Sequence, residues 1–350
     1  MPSLERPSLE RVARIGASFA VLALLAWLVP TDNYLEVLSR ADWLLAFASV
    51  ALLLPEQMIK ARLFWLTARL QNLAFSYRKM LAIQFATGFY GLIVPGQVGA
   101  VAARWYKLQK PGRQRVEAAA VIGLNRLLET ATGVIIGLTL ALADPLVQQH
   151  VPILLFLAAA LVACGLAIAA FVRPKGRELL KMLERGLPAW RLFRPWRQLR
   201  PAVGEAVGRF SRMRREQLAK LLFWSLLWHA IGILIVVLAA RAVGSDVGWT
   251  TLGWVRSFLA IALLLPISWA GIGLREVGFV ALLAPYGVPA ATAVAIGLLG
   301  SLRLVVIAAI GGLVEALLPR RTRPDPALAP SPRAGRAATM PAAEPGTERS

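Results

Sequence analysis

One cysteine and two histidines are all that this 350-residue chain offers to sulfur and imidazole chemistry. Cys164 has no partner within the chain, so there is no disulfide framework, and it reads as a small buried hydrophobe. His150 and His229 stand too far apart for metal-ligand spacing. Neither a G-x-S-x-G elbow nor a phosphate-binding P-loop occurs. Charge is scarce at 17% of residues, below the quarter usual in soluble domains. It is also one-sided, with 39 Lys and Arg against 19 Asp and Glu. These deficits argue against a soluble enzyme, and they imply no cofactor, no metal and no catalytic constellation.

What the chain has in quantity is apolar sequence, 57% of residues, in recurrent long runs. A helix rises about 1.5 Å per residue and a bilayer core is about 30 Å thick. On that measure the expected spans are 12–30, 43–59, 116–142, 151–172, 219–240 and 290–318. Arg6, Arg11 and Arg14 precede the first run, which resembles a signal peptide; Pro30-Thr31-Asp32 follows in place of a small-x-small cleavage site, so a retained span is expected. The net charge of +20 resides mainly between the apolar runs. That placement reads as positive-inside loops against an anionic leaflet, with both termini cytoplasmic, and not as a nucleic-acid surface.

Two segments do not fit as ordinary spans. Residues 80–94 begin on the side of Arg78 and Lys79, yet Arg104 onward returns to it, with the break Pro95-Gly96-Gln97-Val98-Gly99 between. Residues 250–289 are broken from Pro266 to Gly273, and 274–284 amount to only about 17 Å of helix. Both read as re-entrant hairpins, 80–103 and 250–289, entering from opposite faces. The expected fold is all-α, with about six transmembrane helices and two broken hairpins in an inverted repeat. Span 43–59, hairpin and span 116–142 form one unit; span 219–240, hairpin and span 290–318 form the other. Gly123-Leu124-Asn125-Arg126-Leu127 returning as Gly300-Ser301-Leu302-Arg303-Leu304 supports it, and the layout is that of many secondary transporters.

Residues 173–220 hold fourteen Lys or Arg and four acids. Leu179, Leu180, Leu183 and Leu187, then Trp190, Phe193 and Trp196, then Val203, Val207 and Phe210 recur at helical spacing. The segment is expected to lie in the headgroup plane of an anionic leaflet. The transmembrane domain should run over 1–319. The tail 320–350, rich in Pro, Ala and Arg, is expected to be a disordered cytoplasmic segment.

Ionisable residues inside a bilayer are costly and point to function. Arg126 and Arg303 fall near the middle of their spans, and the guanidinium fork suits a phosphate. Glu129 sits one turn after Arg126, so an internal ion pair is the alternative there; no acid lies within a turn of Arg303. A half-helix that starts inside the membrane aims free N–H groups and a positive dipole end inward. Gly96, Gln97 and Gly99 open one such start; Gly271, Gly273, Arg275 and Glu276 open the other. Arg104 follows the first break. Glu56 and His229 are further intramembrane polar groups. Asp32 and Asp42 suit a metal-dependent glycosyl transfer less well, since such a reaction needs a soluble acceptor domain.

Ile59-Lys60-Ala61-Arg62-Leu63-Phe64-Trp65, then Gly91-Leu92-Ile93-Val94-Pro95-Gly96-Gln97-Val98-Gly99 with Arg104, then Gly271-Ile272-Gly273-Leu274-Arg275-Glu276, resemble the lysylphosphatidylglycerol synthase transmembrane-region family over about 10–318. The resemblance implies a flippase-like lipid module. In the aminoacyl-lipid enzymes that module precedes a soluble transferase domain; none follows here, so lysyl transfer is not expected. Where the family carries an acid just after the last glycine of the first break, this chain has Ala100. The sequence therefore reads as a flippase-like protein of the bacterial inner membrane that moves an anionic or phosphate-bearing lipid. The alternative is a non-transporting partner of a lipid or polysaccharide assembly. The oligomeric state is not legible.

Overall fold

The computed structural model describes residues 31–93, 98–109, 115–148, 151–172, 208–210, 212–263 and 273–317. Expectations for the first span, the basic segment up to residue 207 and the tail lie outside these residues, as do both Pro/Gly breaks. Residues up to Glu315 form one compact unit, and Ala316–Ser350 form a second, of which only 316 and 317 are described.

Among the described residues every regular element is helical. The longer ones, in order, are α1 (Thr31–Ser39), α2 (Trp43–Ala51), α3 (Leu53–Leu70), α4 (Tyr77–Ile93), α5 (Val98–Leu108), α6 (Arg115–Leu142), α7 (Val151–Val172), α8 (Arg215–Ala242), α9 (Trp249–Ala262), α10 (Leu274–Leu283) and α11 (Ala290–Leu317); short turns of helix lie at Pro145–Gln148 and Ala284–Tyr286. Four stretches are long and apolar enough to cross a bilayer: Trp43–Leu70, Arg115–Leu142, Arg215–Ala242 and Ala290–Leu317. α5 and α10, with 11 and 10 residues, are far too short to cross. The chain is an all-α, multi-pass membrane protein.

Sequence chemistry explains the element limits. Asp42 caps α2, accepting hydrogen bonds from the backbone of Leu44 at 2.9 Å and Leu45 at 3.2 Å. Pro55 cannot donate to the carbonyl of Ala51, and its ring crowds that carbonyl. The helix accordingly interrupts at Leu52 and resumes as α3. From there it runs eleven residues beyond the expected limit at 59. Lys60, Arg62 and Arg69, beyond the expected limit of the span, stand on α3 itself, as Arg104 and Lys107 stand on α5.

The two halves interlock. In the first, α4 packs on α3 and α5; in the second, α9 packs on α8 and α10. Gln84 on α4 donates to Gln57 on α3 at 2.7 Å, across 27 residues. Arg256 on α9 meets His229 on α8 at 3.3 Å, again across 27 residues. The long helices then cross over: α9 lies against α6 where a side chain at Gly137 would meet Ser257, and α4 lies against α11 where one at Gly311 would meet the Phe85 carbonyl. Arg303 stands eight residues before Gly311, as Glu129 does before Gly137. Packing therefore matches Arg303 to Glu129, whereas the short sequence echo had matched it to Arg126.

Where α6 ends, Asp144 ties three elements together. One oxygen accepts from Thr251 Oγ1 at 2.7 Å, Tyr286 Oη at 2.8 Å and Trp254 Nε1 at 3.1 Å. The other accepts from the Leu146 backbone at 3.1 Å. Burial pushes this carboxyl up, but the hydrogen bonds outweigh burial and hold it below the usual aspartate range. A depressed folded value means the stabilisation is present at neutral pH and lost as pH falls below about 4. Asp144→Asn should therefore cost about 1–3 kcal/mol at pH 7, with the gap closing towards pH 3. Tryptophan-monitored melting of both proteins in detergent reads this directly; equal melting at pH 7 would contradict it.

Candidate functional site

Helix α3 presents Glu56, Gln57 and Lys60 on neighbouring turns, and each meets a different helix. Glu56 pairs with Arg303 of α11, with the two side chains only 7% and 16% exposed. Gln57 accepts from Gln84 of α4. Lys60 pairs with Glu129 of α6 at 3.2 Å and also lies 4.5 Å from the Trp228 ring centre on α8. His229 Nε2 meets the Glu129 carbonyl oxygen at 2.9 Å, and Thr132 and Ser225 share a hydrogen bond at 2.7 Å. Hydrocarbon offers no solvation, so these groups are matched with one another instead.

On the Glu56 side of this network lies a cavity of about 210 Å³. Its charged lining is Arg256, Arg275, Arg303 and Glu56; Leu259, Phe279, Ile296 and Leu299 supply apolar wall. Three guanidiniums thus face one carboxylate, and that carboxylate is engaged by Arg303. Arg303 Nε is buried with no hydrogen-bond partner among the described residues. Among the described residues no carboxylate pairs with Arg256 or Arg275. The segment 264–272, which links their helices, contains no acidic residue.

Local packing is shaped around these cations. A methyl group at Gly232 would collide with the Arg256 guanidinium, so the glycine lets that side chain lie against α8. Arg256 also stands 5.5 Å from the Trp228 ring centre. At Gly300 a methyl would come within 3.3 Å of Arg275 Cδ, and Arg275 Nη1 donates to Ser301 at 3.4 Å. Gly273 opens α10 with φ 84°, a left-handed conformation that favours glycine.

The sequence candidates separate accordingly. Arg303 and Arg275 share the cavity. Glu276 does not face it: its oxygens accept from Gly273 N at 2.7 Å and Ser301 Oγ at 2.6 Å. Glu276 thus holds the start of α10 and fastens it to α11. Arg104 donates to Gln84 at 2.7 Å and Thr87 at 2.9 Å and stacks 4.0 Å from the Phe64 ring centre, away from the cavity. Gly99 lines a different hollow of about 350 Å³ with Tyr90, Tyr106, Lys107 and Glu315, where Lys107 pairs with Glu315 at 2.6 Å. Arg126 is 40% exposed and 4.0 Å from Glu129, farther than Lys60 is, and it does not line the Arg303 cavity. Gly96, Gln97 and Gly271 lie outside the described residues. Arg256 was missed, although a cation inside the apolar run 250–262 was itself the signal. Glu56 was noted without its partner.

Among the described residues no group of His, Cys, Asp or Glu is arranged to hold a metal ion. A family model described as lysylphosphatidylglycerol synthase TM region matches residues 12–312, and the chain belongs to that family. No curated protein and no solved structure matches it.

Removing one partner of a buried pair leaves an uncompensated charge, at a cost of about 3 kcal/mol or more. Arg303→Ala should therefore lower the melting temperature sharply, and adding Glu56→Gln should recover most of that loss. Melting of wild type, both single variants and the double variant measures the coupling; additive effects would show that the two groups do not pair.

Proposed function

We propose that this member of the lysylphosphatidylglycerol synthase transmembrane-region family is a lipid flippase-like transporter, not an enzyme, and moves an anionic, phosphate-bearing lipid between leaflets. What carries the reading is the three-arginine cavity among membrane-crossing helices. Its cationic wall suits a phosphate, through planar forks that stay charged when desolvated. Its apolar wall of Leu259, Phe279, Ile296 and Leu299 suits the adjoining acyl region.

In this reading the two halves rock against each other and open the cavity to each leaflet in turn. α3 of the first half and α11 of the second meet through Glu56 and Arg303, so that pair is the tie about which the halves move. The protein then resides in the bacterial inner membrane with both termini cytoplasmic, and the basic stretch 173–220 lies on the anionic leaflet.

Liposomes reconstituted with the full chain and a fluorescent phosphate-bearing lipid test this by the rate at which label becomes accessible in the outer leaflet. Arg256→Gln and Arg275→Gln should each slow exchange about tenfold or more, since a charge-assisted contact contributes about 1.5–3 kcal/mol. Arg78→Gln, on the exposed surface of α4, should leave it unchanged. Protein-free rates with wild type, or wild-type rates with both cavity variants, would overturn the reading.

A further inference from the structure

One face of α3 carries a stripe that changes character along its length. Leu54, Met58, Arg62 and Arg69 recur at spacings that bring them onto one side of the helix, and none of them lines the cavity. Leu54 and Met58 are exposed apolar side chains; half-buried Arg62 and exposed Arg69 follow towards the helix end. The Arg62 guanidinium carbon lies 4.3 Å from the Trp65 ring centre, and the rings of Tyr77 and Trp224 stand 5.8 and 6.0 Å from it. Arg69 lies 4.8 Å from the same Trp65 ring. Trp65 Nε1 donates to the Phe75 carbonyl at 3.0 Å, and Tyr77 Oη donates to the Met58 carbonyl at 3.0 Å. Those bonds fix two of the rings around the arginines.

Depth decides what this end of α3 meets. Asp42 N donates to the Ala242 carbonyl at 2.8 Å, so the start of α2 and the end of α8 stand level, with Trp43 and Trp249 exposed nearby in the chain. Arg62 comes twenty residues after Asp42, and Trp224 eighteen before Ala242, about 30 and about 27 Å of helix. The hydrocarbon core is about 30 Å thick. The two groups of aromatic side chains thus mark the two interfaces. Arg62 and Arg69 reach the headgroups of one leaflet, while Met58 and Leu54 border its acyl chains.

From this placement we propose that the α3 stripe is a binding site for an anionic phospholipid of the surrounding bilayer, separate from the cavity and independent of the transport reading. Stacking on Trp65 uses the face of the Arg62 guanidinium and leaves its N–H edge open, the edge that grips phosphate oxygens. Among the described residues neither Arg62 nor Arg69 forms an ion pair or a side-chain hydrogen bond. Acids do not cancel them. No Asp or Glu occurs between Glu56 and Glu117; Glu56 pairs with Arg303, Glu117 with Arg209 and Glu129 with Lys60. Glu216, near the start of α8, stands among Arg214, Arg215 and Lys220. A phosphatidylcholine would bring its fixed cation against the two arginines, and a second copy of the chain would bring like charges, so both are disfavoured. The site opens onto the bilayer, so its lipid exchanges with the bulk and is washed out in detergent.

The test is site-specific quenching in reconstituted bilayers. In the full chain Cys164→Ser removes the one native thiol, and Met58→Cys places a bimane label on the stripe. Brominated phosphatidylglycerol and brominated phosphatidylcholine are compared as quenchers at equal mole fraction in phosphatidylcholine. The anionic lipid should associate about fivefold more strongly, the contribution of a basic residue near an anionic surface. Arg62→Gln/Arg69→Gln should bring the two lipids to parity, and Arg62→Lys/Arg69→Lys should restore part of the preference. Unchanged quenching by brominated phosphatidylcholine shows that the stripe still faces lipid in both variants. Equal association of the two lipids before the arginines are changed, or a preference that survives Arg62→Gln/Arg69→Gln, overturns the site and leaves the cavity reading standing. Quenching by neither lipid means that protein covers this face, which also overturns it.

Discussion

Two buried ion pairs on adjacent turns of α3 are the constraint around which the structure is arranged. Glu56 reaches Arg303 and Lys60 reaches Glu129, so one helix supplies opposite charges to the long helices α11 and α6. Neither charge on α3 is tolerable alone in hydrocarbon, and each fixes the depth and rotation of the helix it meets. Gln57, on the same face, fixes α4 in the same way. The small residues follow from this arrangement: Gly137 and Gly311 allow the crossed helices to approach closely enough for the pairs to form.

The same arrangement leaves a deliberate imbalance on the second half. There the family of positive groups exceeds the acids able to meet them, and Gly232 and Gly300 make the space those side chains occupy. On the first half the balance differs. Arg104 donates to neutral Gln84 and Thr87, and Glu129 pairs with Lys60. The two halves thus differ in charge distribution, and the arginines that pair with no carboxylate among the described residues of the second half gather in one cavity. That asymmetry is what marks the cavity as the candidate binding site.

Much of this was legible in the sequence. Apolar length marked the four stretches that are long enough to cross a bilayer, because that signal follows from local chemistry. Arg303 stood out because an arginine in an apolar run has no local explanation, and Arg275 because it stands at the start of the half-helix after the second break. What the sequence hid were relations between helices. Lys60 and Arg104 showed no partner in the sequence, and the fold places Glu129 and Gln84 beside them. The five-residue echo around Arg126 and Arg303 suggested equivalence, but packing at Gly137 and Gly311 shifts the match by about one turn, to Glu129. Arg126 consequently lies apart from Arg303, and Arg256, from a helix with no echo, takes the place beside it.

The central claim is that the cavity formed by Arg256, Arg275 and Arg303 holds the phosphate of a lipid. Native mass spectrometry of lipid co-purified with the full chain tests it most directly, with Arg256→Gln/Arg275→Gln as the comparison. The account predicts an anionic phosphate-bearing lipid retained by the wild type and lost from the double variant, with both proteins folded. Retention of the same lipid at the same occupancy by the variant, or a wild type carrying only lipids without net negative charge, would contradict it.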